Sequence, residues 1–241
     1  MSQSDLIIDW ANMPVYNTVM AVATGAALCS MAKVAQHLCF KTKLNPQGWS
    51  LNFAVLGMIL FLTGLHMTVT WPLAKYYPFD NIVFGEPSLV LGTLLLGIAF
   101  YMWKNRESIK TAQSPMMSVA QDLRHFKYIL YGMGLALIGV AIAGVRYKLF
   151  AAPPEEPIAG EFAEYPIVEA LFISGLWAFT GIAAILCPFV FERFANGKRG
   201  QTPLVKVTYK LIYTLGVIFL LFGAMNYFTH IGLIVNTMPN Q

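Results

Sequence analysis

Six apolar stretches fill most of the chain, at about 15–38, 52–74, 87–103, 128–150, 167–190 and 207–235. Each is long enough to cross a bilayer, because about 20 residues rising 1.5 Å each cover a hydrocarbon core of ~30 Å. The pattern predicts an all-α polytopic membrane protein, a single six-helix transmembrane domain over residues 1–241. The longest polar breaks are 104–126 and 151–166. In the first, Ser114-Pro115 leads into Met116–His125, expected to be a short helix on the membrane surface. The second, AAPPEEPIAGEFAEYP, is rich in Pro and Glu and reads as an extended, solvated loop.

A finer pattern lies inside the spans. Gly57 and Gly64, Gly132 and Gly139, and Gly216 and Gly223 are each seven apart, with similar flanks in spans two, four and six. Residues a heptad apart share one stripe of a helix, and small residues on a stripe let helix backbones approach in lipid, where no hydrophobic force drives association. In spans three and five, Glu86 and Glu169 each precede a glycine, Gly92 and Gly175, by six. The chain therefore reads as three αα-hairpin repeats, pairing spans one with two, three with four and five with six.

Composition and charge narrow the picture further. The chain is 57% hydrophobic and 12% charged, against about 25% charged in a soluble domain. If the N-terminus lies outside, only Lys75, Arg146 and Lys148 of the 16 lysines and arginines fall on the outer side. Of the 12 acids, only Glu107, Asp122 and Glu192 fall on the inner side. The loops are short enough for the positive-inside rule, so both termini are expected outside, in a bacterial or archaeal plasma membrane. The net charge of +4 is then an inner edging that can touch anionic lipid, and nucleic acid is not an expected partner. The acidic start, Asp5 and Asp9, does not fit a cleaved signal peptide, and span one reads as a retained anchor. Leu6, Ile7, Ile8 and Trp10 suggest a tail lying at the interface. Cys29, Cys39 and Cys187 have no metal or disulfide spacing and read as free thiols.

The segment N-I-V-F-G-E-P, Asn81 to Pro87, looks like a helix start: Pro87 in the first turn, Glu86 at the N-cap and Gly85 giving room for the turn. This segment, together with spans two to five, resembles an uncharacterised family of predicted multi-pass membrane proteins. The resemblance implies the bundle and no activity.

Ionisable groups inside hydrocarbon are costly and are candidates for function. His66 sits about 21 Å into span two by helix rise. Arg146 ends span four, Asn226 and His230 occupy the outer half of span six, and Glu86 and Glu169 open spans three and five. One reading is an outward-opening cavity lined by His66, Glu86, Arg146, Glu169, Asn226 and His230, able to bind a metal, hold a quinone head group or relay protons. The other is a set of interfacial caps and ion pairs, such as Arg146 with Glu86 or Glu169. His66 and His230 lie in one leaflet, about 7 Å apart in depth, which leaves b-type haem as a further option. No HExxH, G-x-S-x-G or phosphate-loop motif is present. The leading expectation is a non-catalytic subunit or scaffold, self-associating or joined to other membrane subunits. A small transporter or channel and a quinone- or haem-binding redox protein are the alternatives.

Overall fold

The structure, a computed structural model, describes residues 8–40, 42–198 and 200–238. Asp5, Leu6 and Ile7 of the interfacial tail, and Lys41 and Arg199 of the charge pattern, lie outside the described residues. The described chain is helical: α1 Asn17–Phe40, α2 Pro46–Thr70, α3 Pro78–Lys104, α4 Arg106–Thr111, α5 Pro115–Leu123, α6 Lys127–Tyr147, α7 Pro166–Ala195 and α8 Pro203–Thr237. Six of these, α1, α2, α3, α6, α7 and α8, are long and apolar enough to cross a membrane. The described residues thus form an all-α bundle with six helices long and apolar enough to cross a membrane.

Proline and left-handed residues set the ends more sharply than hydropathy does. Pro46, Pro78, Pro166 and Pro203 each sit in the first turn of their helix, where a missing N–H costs nothing. Trp71 and Lys148, at φ 48° and 51°, close α2 and α6 before the ends that hydropathy suggests. Span three starts nine residues earlier than its apolar run, at Pro78, and passes through a π turn over Asn81–Gly85. Pro87 has no N–H to offer the Val83 carbonyl, and a widened turn absorbs the proline ring without breaking the helix. N-I-V-F-G-E-P is therefore not a helix start, and Glu86 is not its cap. Asn81, fully buried, accepts the Leu73 N–H at 3.3 Å and donates to the Pro78 carbonyl at 3.2 Å, so it ties down the turn between α2 and α3.

The close helix pairs are α2 with α3, α6 with α7, and α1 with α8. These are not the hairpins that the glycine pattern suggests. Each pair meets at small residues. A Cβ on Gly57 would lie 3.1 Å from the Gly92 carbonyl oxygen, and one on Gly64 would lie 2.8 Å from that of Gly85. The same relation holds between Gly134 and the Gly181 oxygen, at 2.8 Å, and between Gly216 and the Gly25 oxygen, at 3.0 Å. Small residues seven apart are buried along every seam, among them Thr18/Gly25, Gly57/Gly64, Gly85/Gly92, Gly134/Ala141, Ser174/Gly181 and Gly216/Gly223. Gly132 and Gly139, expected on a packing seam, are not on one: both are exposed, and a Cβ added to either meets nothing within 4 Å. Two residues turn a helix by about 200°, so when Gly134 and Ala141 face α7, Gly132 and Gly139 face away.

The three pairs surround a central space. α3 and α6, joined through α4 and α5, barely approach each other, whereas α1–α2 and α7–α8 do touch. At the basic end α5 buries Met116, Val119 and Ala120 against the bundle, and the Tyr101 hydroxyl donates to Asp122 Oδ2 at 2.7 Å. It is a plug more than a surface helix. At the other end, the 151–165 segment is no extended loop. It forms turns and a short 3₁₀ helix at Ala159–Phe162, and Pro157 presses on Gly232 of α8.

Candidate functional site

The space between the helix pairs is a cavity of about 660 Å³. Its walls run from Leu123, Phe126 and Phe191 near the basic end to Tyr16, Asp80 and His230 at the end where α1 begins and α8 finishes. Most of the wall is apolar, because the stripes opposite the small-residue seams carry Leu, Ile, Phe and Met. In its middle, the Trp177 ring lies tilted against Phe84 (centroids 6.0 Å apart) and edge-on to Phe219 (6.4 Å), and its indole N–H is buried with no acceptor.

The polar groups gather at the terminal end. Glu169, one turn into α7, accepts the Ala152 N–H at 2.6 Å. Glu156 is carried in from the 151–165 segment and places Oε1 3.7 Å from His230 Nε2. Burial pushes the Glu156 carboxyl above its usual range, as expected for a charge moved out of water. The two glutamates are close enough to feel each other's charge. Asp80 lines the same end, beside Tyr77, whose hydroxyl is raised by burial and by that carboxyl. Asn226 and Thr229 come from the face of α8 that also carries His230. Thr229 is 1% exposed, and its hydroxyl lies beside the Glu156 carboxyl and eases part of that rise. Asn17 Oδ1 is a buried acceptor without a donor. The segment over this end is pinned by Asn236, whose Nδ2 donates to the Glu155 carbonyl at 2.8 Å.

Of the six residues expected to line a site, Glu169, Asn226 and His230 do so. His66, Glu86 and Arg146 do not. His66 is exposed on the outside of α2 and shares a 2.9 Å hydrogen bond with the Tyr16 hydroxyl; it does not share a cavity with His230, so the histidine pair considered for haem is not formed. Glu86 follows buried Gly85 by one 100° step and turns outward. Arg146 lies two residues past buried Gly144, on the far face of α6, with its guanidinium 5.7 Å from the Tyr147 ring. Asp80, Glu156, Asn17, Thr229 and Trp177 take their places. The small-residue register shows why Asp80 was missed: it precedes Gly85 by five, as Glu169 precedes Ser174 by five. Asp80, and not Glu86, is the positional counterpart of Glu169. Trp177 had a visible signal, a tryptophan at mid-span instead of at an interface. Glu156 had none, since its burial depends on a loop folding back.

Residues 13–232 match the model of a family described as Protein of unknown function (DUF981). No curated protein and no solved structure matches the chain.

Proposed function

The chain belongs to this family of unknown function, and we propose that it is an integral membrane protein that binds one elongated amphipathic molecule inside its bundle. The observation that carries the reading is the cavity: about 660 Å³, mostly apolar along its length, with its carboxyl and imidazole groups gathered at one end. That volume lies in the range of small-molecule sites, about 300–1,000 Å³. A helical subunit that served only as a scaffold would be expected to fill its centre, since protein interiors close-pack. The gap between α3 and α6 offers a lateral route from lipid, with Pro87, Leu91 and Leu94 on one side and Leu130 and Met133 on the other. The segregation of basic residues supports an orientation with both termini outside, which puts the polar end of the cavity in the outer leaflet.

Native mass spectrometry of protein released from mild detergent is expected to show an adduct of lipid size. Ala184→Phe puts a ring into the cavity from a partly exposed wall position. It should abolish the adduct while the far-ultraviolet dichroism stays helical. A bare wild-type protein that also fails to take up a spin-labelled long-chain amphiphile would end the reading.

A further inference from the structure

We infer that the polar end of this cavity takes a cationic amine head group, an inference that rests on the ligand-binding reading above. Three carboxyl side chains, Asp80, Glu156 and Glu169, line one end of an otherwise apolar space. The nearby cations do not answer them. Arg146 and Lys75 are exposed and lie against Tyr147 and Tyr76. Among the described residues lining the cavity, the basic ones are Lys148, itself exposed, and His230, which Glu156 already faces. When both are ionised, Glu169 and Glu156 repel each other. A cation between them offsets that repulsion.

Hydrogen-bond inventory points the same way. When ionised, carboxylates only accept, and Asn17 Oδ1 is an acceptor with no donor. An ammonium brings donors and no acceptor, so it answers these groups. At this end a quinone carbonyl or an anionic head sets acceptors against Asn17 Oδ1 and the ionised carboxylates, which is costly when buried; the unpaired Trp177 N–H lies deeper. The rings of Trp177, Phe84 and Phe219 lie deeper, where an alkyl chain would run.

The test compares dodecylammonium, dodecanol and dodecanoate as competitors of a spin-labelled dodecylammonium on the full chain in phosphatidylcholine nanodiscs, with Ala184→Phe defining the background. Dodecylammonium is expected to compete at least about tenfold better than dodecanol, with dodecanoate weakest. Glu156→Gln and Glu169→Gln should each shrink that margin, while Arg146→Gln, on the outward face, should not. Glu156 lies on a loop, so its variant keeps the test open if Glu169→Gln fails to fold. Dodecanol or dodecanoate equalling dodecylammonium, with binding still sensitive to Ala184→Phe, would overturn the cationic head and leave the cavity reading standing. Failure of all three to bind above background would overturn both.

Discussion

At the scale of single residues, helix azimuth decides more than residue type. Gly64 and Gly139 look alike in the sequence, yet a side chain on Gly64 meets the Leu89 backbone and one on Gly139 meets nothing within 4 Å. Overpacking that cannot relax costs roughly 1–3 kcal/mol. Gly64→Ala is therefore expected to lower the thermal midpoint of the detergent-solubilised protein, and Gly139→Ala to leave it unchanged; equal effects would mean that α2 and α3 do not touch as described. The same reasoning separates the titratable groups. Glu169 and His230 face inward, whereas Glu86 and Arg146 are each one or two residues from a buried position and face out. Sequence reading placed these residues near one level by counting along each span. It could not find the side each takes, because an error of two positions in the packing register is a half turn of the helix.

At the scale of elements, the two ends of the cavity are closed by segments that look like mere connections. α5 plugs the basic end, and 151–165 folds over the other, held by Ala152 to Glu169, Asn236 to Glu155 and Pro157 to Gly232. The folded-over segment carries a pH dependence through Glu156. Burial raises its carboxyl above the usual range, so the seated segment favours the protonated form. That contribution is complete below the ordinary glutamate range and is lost as pH rises through the raised value. His230 faces Glu156 at 3.7 Å, Thr229 lies beside it and Glu169 is the neighbouring acid. Hydrogen exchange over 153–162, corrected for intrinsic rates, should show protection falling as pH rises, and Glu156→Gln should flatten the profile. A rise in protection instead would mean that the Glu156–His230 ion pair outweighs burial.

At the scale of the whole molecule, three tight helix pairs enclose a space with one polar end, and the positive-inside rule makes the proposed orientation of that end testable. A cysteine added at the C-terminus, in a chain whose Cys29, Cys39 and Cys187 are replaced by Ser, should react with a membrane-impermeant maleimide from outside intact cells. Labelling only after lysis would put the acidic end of the cavity in the cytosolic leaflet. The six helices, their approximate limits and the importance of heptad-spaced small residues were legible in the chain, because the bilayer imposes length and hydrophobicity on each helix separately and close approach imposes small size. The pairing was not legible: local connectivity favours neighbours in sequence, but α1 closes on α8, and that choice lies in long-range contacts. The cavity likewise belongs to the tertiary structure. It exists because stripes of small residues draw the helices into pairs and leave the larger side chains to line the gap between pairs, and because the 151–165 segment brings Glu156 into it, neither of which any single span encodes.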